Sequence, residues 1–191
     1  MFEEIISYLA TNEITVILID VSGSTSDKFK SKCSIREYEF DLASNICKNS
    51  NYAKAHIIEW STTSKLYENH DVGNIEFIKK TSQSMGGTEL LCGLEQIKNE
   101  FFDKDKITRI IIITDGEIND NNKKICDRFN ELSQHNICVE IIAVEANNKD
   151  YSNANVSVGN AIYNMITNNN MTRLINKFSV YNKNEIEFIN F

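Results

Sequence analysis

The sequence predicts an α/β fold: a three-layer, doubly wound domain around a mostly parallel central sheet with one antiparallel edge strand. Two observations carry the prediction. Short runs rich in Ile and Val, at residues 14–19, 107–113 and 138–144, are bounded by turn residues and read as strands covered on both faces. Between such runs lie stretches with apolar residues at helical spacing, and strands that alternate with helices wind a parallel sheet. The length of 191 residues, with 41% hydrophobic and 25% charged, suits one domain with a sizeable core.

Residues 2–9 place Phe2, Ile5, Ile6 and Leu9 on one face of a short amphipathic helix, so residues 1–12 read as an N-terminal helical segment and 13–191 as the main domain. Ile14-Thr15-Val16-Ile17-Leu18-Ile19 is the first strand. Residues 36–48 then form a helix with Leu42, Ala43 and Ile46 inward. Residues 55–60 are a second strand and 64–67 a short third, joined through Ser61-Thr62-Thr63 as a hairpin that places the third strand antiparallel at an edge. The most regular helix spans residues 89–102, with Leu90, Leu94, Ile97 and Phe101 at helical spacing. A strand at 107–113, a helix at 123–133 using Ile125, Phe129 and Leu132, and a strand at 138–144 follow. Residues 161–165 and 172–178 read as helices flanking an Asn-rich turn, and 185–189 as a last edge strand.

Net charge −7 argues against a nucleic-acid-binding surface, which would cluster Lys and Arg. The run Lys28-Phe29-Lys30-Ser31-Lys32 reads as a solvated face. The first residues lack the basic and apolar regions of a secretory signal, and no stretch approaches the roughly 20 apolar residues of a membrane span. A cytoplasmic protein with no membrane contact is expected. Cys33, Cys47, Cys92, Cys126 and Cys138 are odd in number and form no C-x-x-C pair, which favours buried free thiols. His56, His70 and His135 are too scattered for a histidine-centred zinc or catalytic site, and Trp60 reads as core.

Asp20-Val21-Ser22-Gly23-Ser24 follows the first strand directly, so a carboxylate and two hydroxyls leave its carboxyl end together, where open α/β sheets bind ligands. Thr88 stands in Ser84-Met85-Gly86-Gly87-Thr88-Glu89, a Gly-rich turn opening a helix, and Asp115 in Thr114-Asp115-Gly116-Glu117 after the strand at 107–113. Mg²⁺ is a hard ion, held by one or two carboxylates plus neutral oxygens. Asp20, Ser22, Ser24, Thr88 and Asp115 supply that mixture.

The D-x-S-x-S run, the Thr after a glycine pair and the T-D-G resemble the metal-ion-dependent adhesion site of von Willebrand factor A (vWA) domains, from about residue 14 to about residue 144. The resemblance implies a Rossmann-like sheet and Mg²⁺, with Mn²⁺ as the alternative, held by Asp20, Ser22, Ser24, Thr88 and Asp115. It implies an open metal position that accepts a Glu or Asp carboxylate from a protein partner. Intracellular vWA proteins often serve as subunits of multiprotein assemblies, so a non-enzymatic interaction module is expected. Adhesive vWA domains carry a further C-terminal helix after the last strand, whereas this sequence stops at Phe191. Either the chain is a piece of a longer protein, or no such switch exists and residues 2–9 are available for the helix's place.

Two other function classes compete. Ser22-Gly23-Ser24-Thr25-Ser26 also looks like a hydroxyl-rich phosphate loop at a helix N-terminus, as in flavodoxin-like cofactor binding, although Asp20 would repel a phosphate. Metal-assisted hydrolysis by the same residues needs a base beside the metal, and Asp20 and Asp115 are already committed as ligands. No G-x-x-x-x-G-K-[ST] is present for an ATPase, and a haloacid-dehalogenase-type phosphatase would want an Asp where Ser22 stands. Each motif alone reads as an ordinary strand end, helix cap or turn. Those ordinary readings would have to coincide at three element ends in chain order.

Overall fold

The computed structural model describes residues 14–30, 33–49, 55–70, 72–102, 107–116, 118–135, 137–144, 158–181 and 186–189. The helix expected over residues 2–9 and the boundary at residue 12 lie outside them. In chain order the elements are β1 (Ile14–Asp20), β2 (Lys28–Lys30), β3 (Cys33–Ser34), α1 (Ile35–Asn49), β4 (Ala55–Trp60), β5 (Ser64–His70), α2 (Val72–Thr81) and α3 (Leu90–Phe101). They continue with β6 (Ile107–Thr114), α4 (Asn122–Gln134), β7 (Cys138–Val144), α5 (Val158–Asn168), β8 (Lys177–Tyr181) and β9 (Ile186–Ile189).

The Ile and Val runs form strands because each strand feeds two cores at once. Along β1, Val16 and Leu18 join Leu94, Ile97, Phe129 and Ile166 beneath α3, α4 and α5. Ile17 and Ile19 point the other way and join Ile35, Phe40, Ala43, Ile75 and Ile78 beneath α1 and α2. The period of two along a strand thus builds a helix–sheet–helix sandwich with no polar face on the central strands.

The seven-stranded sheet runs in the order β5-β4-β1-β6-β7-β8-β9. β4, β1, β6, β7 and β8 are parallel. β5 is antiparallel to β4 at one edge, as the hairpin through Ser61-Thr62-Thr63 predicts, and β9 pairs antiparallel with β8 at the other edge. β2 and β3 make a separate two-stranded ribbon whose Phe29 is buried and stacks on Tyr38 with ring centroids 4.3 Å apart.

Three points differ from the sequence reading. Residues 172–178 are not a helix: Asn170 takes a left-handed φ of 55°, turns follow, and Lys177–Tyr181 becomes the sheet strand β8. Asn176 holds this strand's entry to β7, its Oδ1 accepting from the Val139 N–H at 2.7 Å and its own N–H donating to the Val139 carbonyl at 2.8 Å. Leu174, Ile175 and Phe178 fit helical spacing, but Phe178, Ser179 and Val180 are buried in succession as in a covered strand. Second, α2 has no counterpart in the sequence reading: among its residues with described side chains only Ile75 and Ile78 are buried, and two apolar positions make a weak period. Third, the five cysteines are free thiols but only Cys47 is buried; the other four are half-buried.

Candidate metal centre

β1 has β4 on one side and β6 on the other, so the chain reverses its direction of winding between β1 and β6. Such a switch point opens a crevice at the carboxyl ends of the strands. The parallel register sets Ile19 beside Ile113, which delivers Asp20 and Thr114 side by side with Asp115 next in the chain. After Asp20 the chain enters a short 3-10 turn at Gly23–Ser26, closed by Thr25 Oγ1 donating to the Ser22 carbonyl at 2.8 Å and by the Asp27 N–H donating to Ser24 O at 3.0 Å. α1 starts only at Ile35, so a phosphate loop at this turn would have no helix N-terminus behind it.

The loop carrying Thr88 is stitched to three neighbours. The Met85 N–H donates to Val21 O at 2.7 Å and the Gly23 N–H to Gly86 O at 3.0 Å, while Thr25 Oγ1 and Ser84 Oγ lie 2.6 Å apart. The Glu89 N–H reaches Ser61 O at 3.2 Å, and the Asn119 N–H donates to Thr88 O at 2.9 Å. Glu89 offers no side-chain cap to α3; instead Asp120 Oδ2 accepts from the Leu91 N–H at 2.8 Å, which ties the loop after β6 to the start of α3. Gly86 is required here: its φ is 81°, and a Cβ would stand 2.7 Å from Thr62 Oγ1.

The side chains from these three segments converge. Ser22 Oγ lies 3.1 Å from Ser24 Oγ, and Ser24 Oγ donates to Asp115 Oδ1 at 3.0 Å across 91 residues of chain. Asp20 is 0% exposed; its Oδ1 accepts from the Ser22 N–H at 2.8 Å and its Oδ2 from Thr114 Oγ1 at 2.5 Å. Burial pushes the Asp20 carboxyl up to about 6 against the hydrogen bonds from Thr114 and Ser22. Burial and then the charge of Asp20 push Asp115 up to about 7, with Asp27 adding in the same sense. Two carboxylates desolvated in this way favour a bound cation, since burial disfavours both ionised forms and the charge of Asp20 further disfavours that of Asp115. Each carboxylate oxygen retains a second lone pair beyond its hydrogen bond. The donor set is all hard oxygen, which fits Mg²⁺ or Mn²⁺.

Thr88 is buried, and its side chain lies against Gly116: a Cβ on Gly116 would come within 3.1 Å of both Oγ1 and Cγ2 of Thr88. Gly116→Ala therefore displaces the Thr88 hydroxyl by a few tenths of an ångström. Gly116 is then a group that positions a ligand, and disturbing such a group typically costs at least about tenfold in metal affinity, so a loss of about tenfold for Mn²⁺ with little change in melting temperature is expected. Calorimetry beside a thermal melt checks both halves.

Of the five residues singled out in the sequence, Asp20, Ser22, Ser24 and Asp115 are linked by hydrogen bonds at the ends of β1 and β6, and Thr88 lies against Gly116, the neighbour of Asp115. Thr114 orients Asp20 and accepts from the Gly116 N–H at 3.2 Å, a role that its place in the T-D-G motif does not announce. That role follows only from the β1–β6 register. Glu39, fully buried on α1 and subject to the charges of Asp20 and Asp115, carries no motif signal at all. Among the described residues no group of three or more His, Cys, Asp and Glu is placed to hold a metal, and no helix is long and apolar enough to cross a membrane.

No family model matches the chain. A von Willebrand factor A domain-containing protein of Dictyostelium discoideum is 32% identical over a segment covering 58% of this chain and 12% of that protein's length. Among solved structures, the SpRpn10 VWA domain superposes with a TM-score of 0.59 at 15% identity, covering 70% of this chain and 75% of that one. The manganese-loaded Plasmodium vivax TRAP protein gives a TM-score of 0.56 at 15% identity over 70% of this chain and 57% of that one.

Proposed function

Because the chain folds as a von Willebrand factor A domain, we propose that it is a protein-protein interaction module that engages its partner through a divalent cation. Asp20, Ser22, Ser24, Thr88 and Asp115 would hold the ion, Mg²⁺ or Mn²⁺. One observation carries the reading: the Ser24 hydroxyl meets the Asp115 carboxylate at 3.0 Å, so two motifs that are ordinary separately present oxygens to one point. A cation held there would supply an electrophilic position for a Glu or Asp carboxylate of a partner protein.

The two acidic donors only balance a divalent charge, and the serine and threonine oxygens add no more negative charge. An anionic group from outside therefore meets no net negative charge from the five ligands and the ion. We place the module inside the cell as a non-enzymatic subunit of a multiprotein assembly, away from nucleic acid and membrane. The net charge of −7 supports the exclusion of nucleic acid. Engagement of Asp20 by Ser22 and Thr114, and of Asp115 by Ser24, supports a binding role over base catalysis.

Calorimetric titration of Mg²⁺ and Mn²⁺ into EDTA-stripped protein tests the reading. One-site binding is expected, weakened in Thr88→Ala and lost in Asp20→Ala. Acetate, used as a probe carboxylate, is expected to lower the water-proton relaxation enhancement of the Mn²⁺-loaded protein. A wild-type protein that takes up neither ion sinks the proposal.

A further inference from the structure

The inward face of α1 carries Ile35, Glu39, Phe40, Leu42, Ala43 and Cys47. These, apart from Glu39, suit a helix face against a sheet, and the face also tolerates the small buried hydroxyl of Ser44. Glu39 is 0% exposed, and neither Oε1 nor Oε2 has a hydrogen-bond partner among the described residues. A buried carboxylate without a partner costs several kcal/mol, and a neutral carboxyl would still bury an unsatisfied donor. The bases nearest along the helix pair do not answer it: Arg36 donates to the Ser82 carbonyl and Lys79 pairs with Asp41. The acid nonetheless persists at a position where Leu or Met would pack.

α1 packs on β1 and on the 3-10 turn that carries Ser24, so this face lies under the carboxyl end of β1. The charges that reach Glu39 are those of Asp20 and Asp115, which together with burial hold its carboxyl well above the usual carboxylate range. Three acids thus share one region of the interior.

We propose that Glu39 is a third acid behind the cation site, neutral in the metal-free fold and lending negative charge to a bound ion; the inference rests on the cation-binding reading above. The three acids do not form a direct ligand cluster. Glu39 therefore acts on the ion through its charge and through water, as a positioning residue.

A charge effect of this kind scales with the charge of the ion, which a packing effect does not. Titrations of Mn²⁺ and Tb³⁺ into metal-free wild type, Glu39→Gln and Glu39→Met read the difference, with Asp20→Ala as the non-binding control. Glu39→Gln is expected to bind Mn²⁺ roughly tenfold more weakly and Tb³⁺ roughly thirtyfold more weakly, with Glu39→Met matching it. The metal-free melting temperature of both variants should equal or exceed that of wild type, because a buried acid has been removed. Affinities within twofold of wild type, equal losses for the two ions, or failure of both variants to fold would make Glu39 a structural residue and overturn the inference. Wild type binding no ion at all would instead overturn the cation site itself.

Discussion

Asp20→Asn is expected to weaken Mn²⁺ binding by at least about a hundredfold, equivalent to about 2.7 kcal/mol, while leaving a folded protein that is more stable than wild type in EDTA at neutral pH. Asp20 is the one donor that is wholly inaccessible, and it is fixed from both sides by the Ser22 N–H and the Thr114 hydroxyl. Removing its charge takes away half of the acidic complement of the predicted ligand set. The amide can keep the local structure, because its oxygen still accepts from Ser22 and the Thr114 hydroxyl can turn to accept from the new NH₂. Stability should rise because burial holds the wild-type carboxyl at about 6, so its ionised form is disfavoured in the fold at pH 7 and above. Calorimetry and urea denaturation in EDTA measure the two effects. Retained Mn²⁺ affinity would remove Asp20 from the site, and a large loss of stability would make it a structural residue first.

The parts of the site legible in the sequence are those tied to strand ends. Asp20 and Asp115 follow apolar runs whose boundaries are visible in the residues, and Thr88 follows a glycine pair where a helix must begin. What stays hidden depends on registers and packing directions that no short window contains. Thr114 is one residue from a predicted ligand, yet its bond to Asp20 exists only because β1 and β6 are parallel neighbours with Ile19 opposite Ile113. Glu39 stands between Glu37 and Asp41, and nothing in the sequence sets it apart from them. Only the rotation of α1, which turns Ile35, Glu39 and Ala43 inward together, separates it from its half-buried neighbours Glu37 and Asp41.

The fold shows the same division. The central strands are visible because burial on both faces leaves an unbroken apolar signature. The approach to β8 reads as helix because Leu174, Ile175 and Phe178 satisfy a helical period as well as a strand's burial, and the deciding contact is Asn176 to Val139, a distant pairing. That error concerns β8, which β7 separates from the β1–β6 switch point, so the site prediction does not depend on it.

In EDTA the protein is expected to lose stability as the pH rises from about 4 to about 7, the opposite of what paired surface carboxylates produce. The folded state keeps protons on Asp20 up to about 6 and on Asp115 up to about 7, whereas the unfolded chain releases them near the ordinary aspartate value of 3.8. Within that window the native state binds more protons than the unfolded state, so the slope of stability with pH is negative, and it levels off above about 7. Each tenfold change in a proton affinity between the two states corresponds to about 1.4 kcal/mol. Because the charge of Asp20 is itself a cause of the rise at Asp115, the two carboxyls titrate as a coupled pair and their contributions are not separable site by site. Glu39, facing both from α1, acts in the same direction, and Asp27 reinforces Asp115. Glu37 and Glu131 act oppositely: hydrogen bonds from Ser34 and Lys98 respectively lower them, so their contribution is complete once the pH exceeds the usual carboxylate range and does not offset the decline above it. Saturating Mg²⁺ should reverse the trend, because ionised carboxylates bind the ion and the bound ion stabilises the native state in proportion to the logarithm of its concentration over Kd. Urea midpoints at pH 5, 6, 7 and 8, with EDTA and with Mg²⁺, separate the two regimes, and Asp20→Asn should flatten the EDTA series. A midpoint in EDTA that holds level or climbs between pH 5 and 8 would mean that Asp20 and Asp115 are ionised in the metal-free fold, and the electrostatic case for a cation at this strand end would fail with it.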